Sequence, residues 1–181
     1  MRKIVFVTGN AGKFREVKAM LEERGIEAIQ NKDGYPELQE DDLEPIAAYG
    51  AKLVAEKLKM PVMVDDSGIF ITVLNGFPGP YSAFVENNLG NPRVLKLMED
   101  ETDRRAQFKS VIGYCEPGKE PVTFTGVVEG EIAYEERGTG GFGYDPIFEY
   151  EGQTFGEIGD EEKNKISHRR RALDKFLEWL D

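Results

Sequence analysis

The sequence is short of the residues that staple or metallate small proteins. Cys115 is the only cysteine and His168 the only histidine among 181 residues. An internal disulfide and a Cys-rich metal site are therefore excluded, and a polyhistidine centre or a histidine-relay triad gains no support. A single thiol fits a reducing compartment. Long apolar runs are also missing: no stretch approaches the roughly 20 residues that span a bilayer. The opening MRKIVFVTGN has two basic residues, but its apolar run stops at Val7 and polar residues follow, which is not an export signal. A soluble, cytoplasmic protein is expected. Positive charge is scarce as well, with 23 Lys and Arg against 34 Asp and Glu and a net charge of -11. That balance excludes a general basic face for gripping nucleic acid. An anionic small molecule would need locally gathered Lys and Arg or a metal ion, which makes each basic cluster informative. Neither repeats, low-complexity tracts nor a long linker are present. One domain over residues 1–181 is expected, with two lobes and no independent second domain.

What is present reads as α/β. KIVFV (3–7) is a buried strand. Gly9 and Asn10 punctuate it, and Phe14, Val17 and Leu21 then recur at helical spacing up to Gly25. IEAIQ (26–30) is a second strand. A helix is expected from Pro45 to about Lys59 with Ile46, Leu53, Val54 and Leu58 on its inner face. PVMVDDSG reads as a strand that ends in Asp65-Asp66-Ser67-Gly68, followed by a second strand toward Asn75-Gly76. Asn91-Pro92 opens a short helix reaching Met98. From Arg105 the period becomes two: Ala106, Phe108, Ile112 and Tyr114 share one parity, and Val122, Phe124, Val128, Ile132 and Tyr134 another, as in long antiparallel strands. Glycine-rich RGTGGFGYDP (137–146) interrupts them. The C-terminus is a helix capped by Ser167, with Leu173, Phe176, Leu177 and Leu180 as its buried stripe. These elements predict a mixed sheet with flanking helices, forming two lobes around a central cleft.

FVTGNAGKF (6–14) has the composition of a phosphate loop without the Walker spacing. Counting back from Gly12-Lys13, the first Walker glycine would fall at Val7, and Phe14 stands where a Mg²⁺-binding hydroxyl belongs. A strand-to-helix turn still directs N–H groups at the positive helix end, so Thr8, Gly9, Asn10, Ala11, Gly12 and Lys13 can hold phosphate oxygens. Set against this is an ordinary glycine turn with Lys13 in solvent. Asp65 and Asp66 are neighbours on a strand and point to opposite faces, so one can enter a site while the other caps or orients. Their hard oxygens suit Mg²⁺, although Asp-Ser-Gly is also a common turn. In the acidic loop 35–42, Glu37, Glu40, Asp41 and Asp42 are equivalent candidates for a second ligand. Phe142, flanked by glycines, can offer a ring to a base, with Asp145 as an acceptor; core aromatics on a hairpin are the competing reading. The basic run at 163–171 is the local positive patch that the acidic chain otherwise lacks, although Lys165, Arg170 and Arg171 read as a solvated helix face.

Taken together, TGNAGK, DDSG, FPGPYSA (77–83), GTGGFGYDP and EKNKISHR, in this order between residues 4 and about 171, resemble the inosine triphosphate pyrophosphatase family. The resemblance implies Mg²⁺-dependent hydrolysis of deaminated purine nucleoside triphosphates (ITP, dITP, XTP) to monophosphate and pyrophosphate by a homodimer of two-lobed subunits. By position it implies that Thr8 to Lys13 bind the triphosphate. Asp66 is then the catalytic carboxylate and a metal contact with Ser67 beside it, and Glu37 is the second metal ligand. Phe142, Gly143, Tyr144 and Asp145 bind the base, and Lys163, His168 and Arg169 make the remaining substrate contacts. A 6-keto purine presents an acceptor at O6 and a donor at N1, so donors from His168-Arg169 and an acceptor at Asp145 would select it over adenine. Two other readings are a related pyrophosphatase with another base preference and a nucleotide sensor without turnover.

Overall fold

The first strand, β1 (Arg2–Val7), lies between two parallel neighbours, β2 (Ile26–Asn31) and β3 (Val62–Ile71), and buries Ile4 through Val7 on both of its faces. A strand covered on all sides carries a continuous apolar run rather than an alternating one. The computed structural model describes residues 1–181. Its seven strands hydrogen-bond in the order β2-β1-β3-β4-β5-β6-β7, with β4 (Arg105–Cys115), β5 (Val122–Ile132), β6 (Phe148–Tyr150) and β7 (Gln153–Thr154). The β5–β6 and β6–β7 pairs are antiparallel, so the sheet is mixed, as the α/β reading expects.

The chain divides into two compact units: Met1–Asp66, Ser110–Gly126 and Arg169–Asp181 in the first, and Ser67–Lys109 and Val127–His168 in the second. The first unit holds α1 (Ala11–Glu22), α2 (Leu43–Leu58) and nearly all of α6 (His168–Leu180). Its core gathers Ile4, Phe6, Val17, Met20, Leu21, Met63, Ile112, Leu173 and Phe176. Phe14 packs partly buried against this cluster with its ring 6.3 Å from that of Phe6, as a residue of the helix face rather than a ligand. The second unit holds α3 (Ser82–Asn88), α4 (Asn91–Leu97) and α5 (Asp160–Ile166). Its own core is built from Ile69, Ile71, Val94, Met98, Phe108, Val128, Ile132, Phe148 and Phe155.

The structure corrects four local expectations. The Asp-Asp-Ser-Gly stretch does not end a strand; β3 runs through it for ten residues, and the chain turns only in the 3-10 segment Thr72–Leu74. Gly68 is there for packing, because a Cβ on it would run into the carbonyl oxygen of Gly79 and lie 3.0 Å from Ser82 Oγ. The inner face of α2 is Leu43, Ile46, Ala47, Gly50, Ala51, Val54 and Ala55, whereas Leu53 is exposed. Small residues dominate it because β4 approaches closely: a Cβ on Gly113 would lie 2.6 Å from Ala47 O. Tyr134 lies beyond the end of β5 and is 77% exposed, with the Arg104 guanidinium 4.2 Å over its ring. Lys165, read with Arg170 and Arg171 as one solvated helix face, lies instead on the separate helix α5, which has three acids in its first turn complementing the helix dipole.

Candidate active site

In the first unit, the turn after β1 is tied down before it can hold anything. Thr8 N–H donates to Asn31 O at 2.9 Å, Gln30 Nε2 donates to Thr8 O at 3.1 Å, and Asn10 N–H donates to Thr8 Oγ1 at 3.1 Å. Asn10 is the N-cap of α1, its side chain accepting from Lys13 N–H at 3.0 Å. The cap satisfies the third N–H of the helix, so those of Ala11 and Gly12, which have no intrahelical acceptor, face outward with the positive helix end. Lys13 folds its side chain toward β3, where Nζ donates to Asp65 O at 3.0 Å and lies 3.7 Å from Asp65 Oδ1.

Asp65 and Asp66 have different partners, as strand alternation requires. Asp65 is held from several directions: Ser110 Oγ donates to its Oδ1 at 3.0 Å and Arg169 Nε to its Oδ2. The other side of the Arg169 guanidinium meets Glu16 Oε2 at 2.6 Å. Glu16, Asp65, Ser110 and Arg169 are all buried. Burial alone would push the Asp65 carboxyl up, but the charges of Arg169 and Lys13 outweigh it and hold the group below the ordinary range. Arg169 likewise stays firmly cationic, with burial opposed by both carboxylates.

Asp66 faces other surroundings. Its Oδ2 accepts a 2.8 Å hydrogen bond from Tyr35 OH. The group is 8% exposed, and burial pushes its carboxyl up to about 6; Lys13 and the Tyr35 hydrogen bond oppose this, while Glu37 and Asp65 add to it. Glu37, on the exposed loop before α2, is thus electrostatically coupled to Asp66. Two coupled carboxylates with hard oxygen donors fit a divalent cation that relieves their repulsion. No group of three or more His, Cys, Asp or Glu side chains is available to hold a metal.

The second unit carries the remaining candidates. Asp145 Oδ2 accepts from Phe142 N–H at 2.9 Å and from Lys163 Nζ at 2.5 Å, and the same ammonium lies 4.6 Å from the Phe142 ring centroid. Lys163 and Asp145 are buried. The loop reaches this shape through Gly141 (φ +66) and Gly143 (φ +61), and a Cβ on Gly141 would collide with the Asp145 carboxylate. Asn91 Nδ2 donates to Gly143 O at 3.0 Å and Tyr144 OH to Ser82 O at 2.6 Å, fixing the segment from outside. Ser67 follows Asp66 on β3. His168 is stacked on Phe108, ring centroids 4.6 Å apart.

Of the residues singled out in the sequence, the structure brings Lys13 and Glu37 into electrostatic reach of Asp66 in the first unit. In the second it brings Phe142, Asp145 and Lys163 into contact. His168 and Arg169, adjacent in sequence, have separate surroundings: an aromatic ring for one and two carboxylates for the other. Sequence reasoning passed over Glu16, Tyr35 and Ser110. Glu16 had a signal, an acid beside Val17 on the face that also carries Met20 and Leu21. Tyr35 and Ser110 had none.

A model of the Ham1 family matches residues 4–179. The dITP/XTP pyrophosphatase of Methanosarcina mazei is 79% identical over 180 residues, covering 99% of this chain and 98% of that protein. That of Methanosarcina acetivorans is 76% identical with the same coverage. Among solved structures, a HAM1 protein from Coxiella burnetii superposes with a TM-score of 0.86 at 34% identity, covering 99% of this chain and 98% of that one.

Proposed function

The chain belongs to the Ham1 family, the inosine triphosphate pyrophosphatase family whose motifs the sequence carries, and on that premise we propose that it hydrolyses dITP, XTP and ITP. The products are the nucleoside monophosphate and pyrophosphate, and the reaction clears non-standard purines from the nucleotide pool. The observation that carries this reading is Asp66, a buried carboxylate pushed up to about 6 beside the lysine of a phosphate loop. A carboxyl of that basicity accepts a proton from water more readily than an ordinary aspartate does, and remains ionised near neutral pH.

Asp66 orients a water and takes its proton as the water oxygen attacks the α-phosphorus. The bond from the α-phosphorus to the bridging oxygen breaks, and pyrophosphate leaves with that oxygen. The outward N–H groups of Ala11 and Gly12, with Lys13, hold the triphosphate oxygens and offset the charge that develops there. Glu37 and Asp66 would hold Mg²⁺, which when bound neutralises triphosphate charge. Phe142 offers a ring to stack on the base, and Lys163 and His168 offer donors toward a 6-keto purine. Asp145, already accepting from Lys163 and Phe142, acts by aiming the lysine. Arg169, enclosed by Glu16 and Asp65, keeps β3 and Lys13 in register. Residues 1–181 act as one catalytic domain, in a cytoplasmic homodimer.

The test is the product of ITP or dITP hydrolysis with Mg²⁺. Monophosphate plus pyrophosphate is expected; diphosphate plus phosphate would sink the mechanism, and tight binding without turnover would favour the sensor.

A further inference from the structure

We propose that Tyr35 is a positioning residue for Asp66, seated by the absence of a side chain at Gly50; the inference rests on the reading of Asp66 as the proton acceptor. Tyr35 precedes the acidic loop, and its hydroxyl donates to Asp66 Oδ2 at 2.8 Å. A carboxylate that must take a proton along one direction gains from having one oxygen pinned: rotation stops, and the direction in which the group meets the reacting water is fixed. The ring reaches this position across α2. A Cβ on Gly50 would overlap it, falling 2.6 Å from Cδ2 and 2.8 Å from Cζ as well as onto Cε2. Glycine inside a sixteen-residue helix is unfavourable relative to alanine. Its presence there gives the tyrosine its seat at the expense of helix stability.

The experiment measures steady-state pyrophosphate release from dITP, together with melting temperature, for the full-length protein and four variants: Tyr35→Phe, Gly50→Ala, the double variant and Asp66→Asn. Tyr35→Phe is expected to lower kcat about tenfold to a hundredfold, the range of a hydrogen bond to a charged group. KM should stay within about twofold and the melting temperature near wild type, because only a hydroxyl is removed. Gly50→Ala should lower kcat in the wild-type background and have little further effect in the Tyr35→Phe background, since a displaced ring without a hydroxyl has nothing left to misplace. Wild-type kcat in Tyr35→Phe, additive losses in the double variant, or a kcat loss that tracks a drop in melting temperature would each overturn the proposal. Inactive Asp66→Asn beside fully active Tyr35→Phe overturns this inference alone; Asp66→Asn with wild-type turnover overturns the underlying reading with it.

Discussion

Replacing Asp66 by asparagine should stabilise the metal-free protein at pH 8 while removing its activity. The side chain is 8% exposed and its carboxyl is pushed up to about 6 from an ordinary 3.8, mainly by burial. A shift of about two units corresponds to about 3 kcal/mol, at 1.36 kcal/mol per unit. The folded state therefore holds this proton more tightly than the unfolded chain does. The cost is absent well below pH 3.8, grows as the pH rises through the interval, and is complete somewhat above pH 6. Asparagine cannot ionise and retains an acceptor for Tyr35 OH. The variant should therefore be more stable than wild type by about 3 kcal/mol at pH 8 and by only about 1 kcal/mol at pH 4.5. For a chain of this length that is about 6–12 °C in melting temperature at the higher pH. The assay is thermal or urea unfolding of both proteins across pH 4.5–8 with excess EDTA, alongside pyrophosphate release with metal restored. An advantage equal at both pH values, or a wild type that melts higher at pH 8, would refute the reasoning.

Arg169→Met strands two buried carboxylates, Glu16 and Asp65, and should cost about 3–5 kcal/mol in urea unfolding at pH 7. Because the Asp65 carboxyl is held below its ordinary range, its contribution is fully present above pH 3.8 and disappears as the pH falls through the folded value, so the cost of Arg169→Met should shrink in acid. Lys13→Ala should lower kcat/KM for dITP about tenfold to a hundredfold, read from initial rates, and should also lower the melting temperature, because it removes one of the cations facing buried Asp65. Gly141→Ala places a Cβ at φ +66 against the Asp145 carboxylate and should destabilise by about 1–3 kcal/mol. It should also raise KM for dITP, read from initial rates, by disturbing the Asp145–Lys163 pair.

Much of the fold is legible because it is written in local periodicity. The apolar run of β1, the glycine punctuation at Gly9 and the spacing of Leu173, Phe176 and Leu177 each reflect the surroundings of a single element. Where the reading went astray, a distant segment had overruled the local pattern. Asp-Asp-Ser-Gly has the composition of a turn, yet β3 continues through it because the Gly79 and Ser82 turn packs on Gly68. Leu53 suits an inner face by hydropathy, but α2 approaches its neighbours so closely, Ala47 against Gly113 and Gly50 against Tyr35, that small residues take that face instead.

The candidate site divides in the same way. Residue order and spacing show that residues 8–13 make a strand-to-helix turn without Walker spacing, and that Asp65 and Asp66 cannot share a task, because adjacent strand residues face opposite ways. What each carboxylate meets comes from the folded chain: Tyr35 for Asp66 across 31 residues, and Arg169 for Asp65 across 104, with Glu16 and Arg169 paired across 153. Those partners are chosen by the packing of helices on the sheet. They set whether a carboxyl is pushed up by burial or held down by a guanidinium, and no residue type or spacing in the chain encodes that difference.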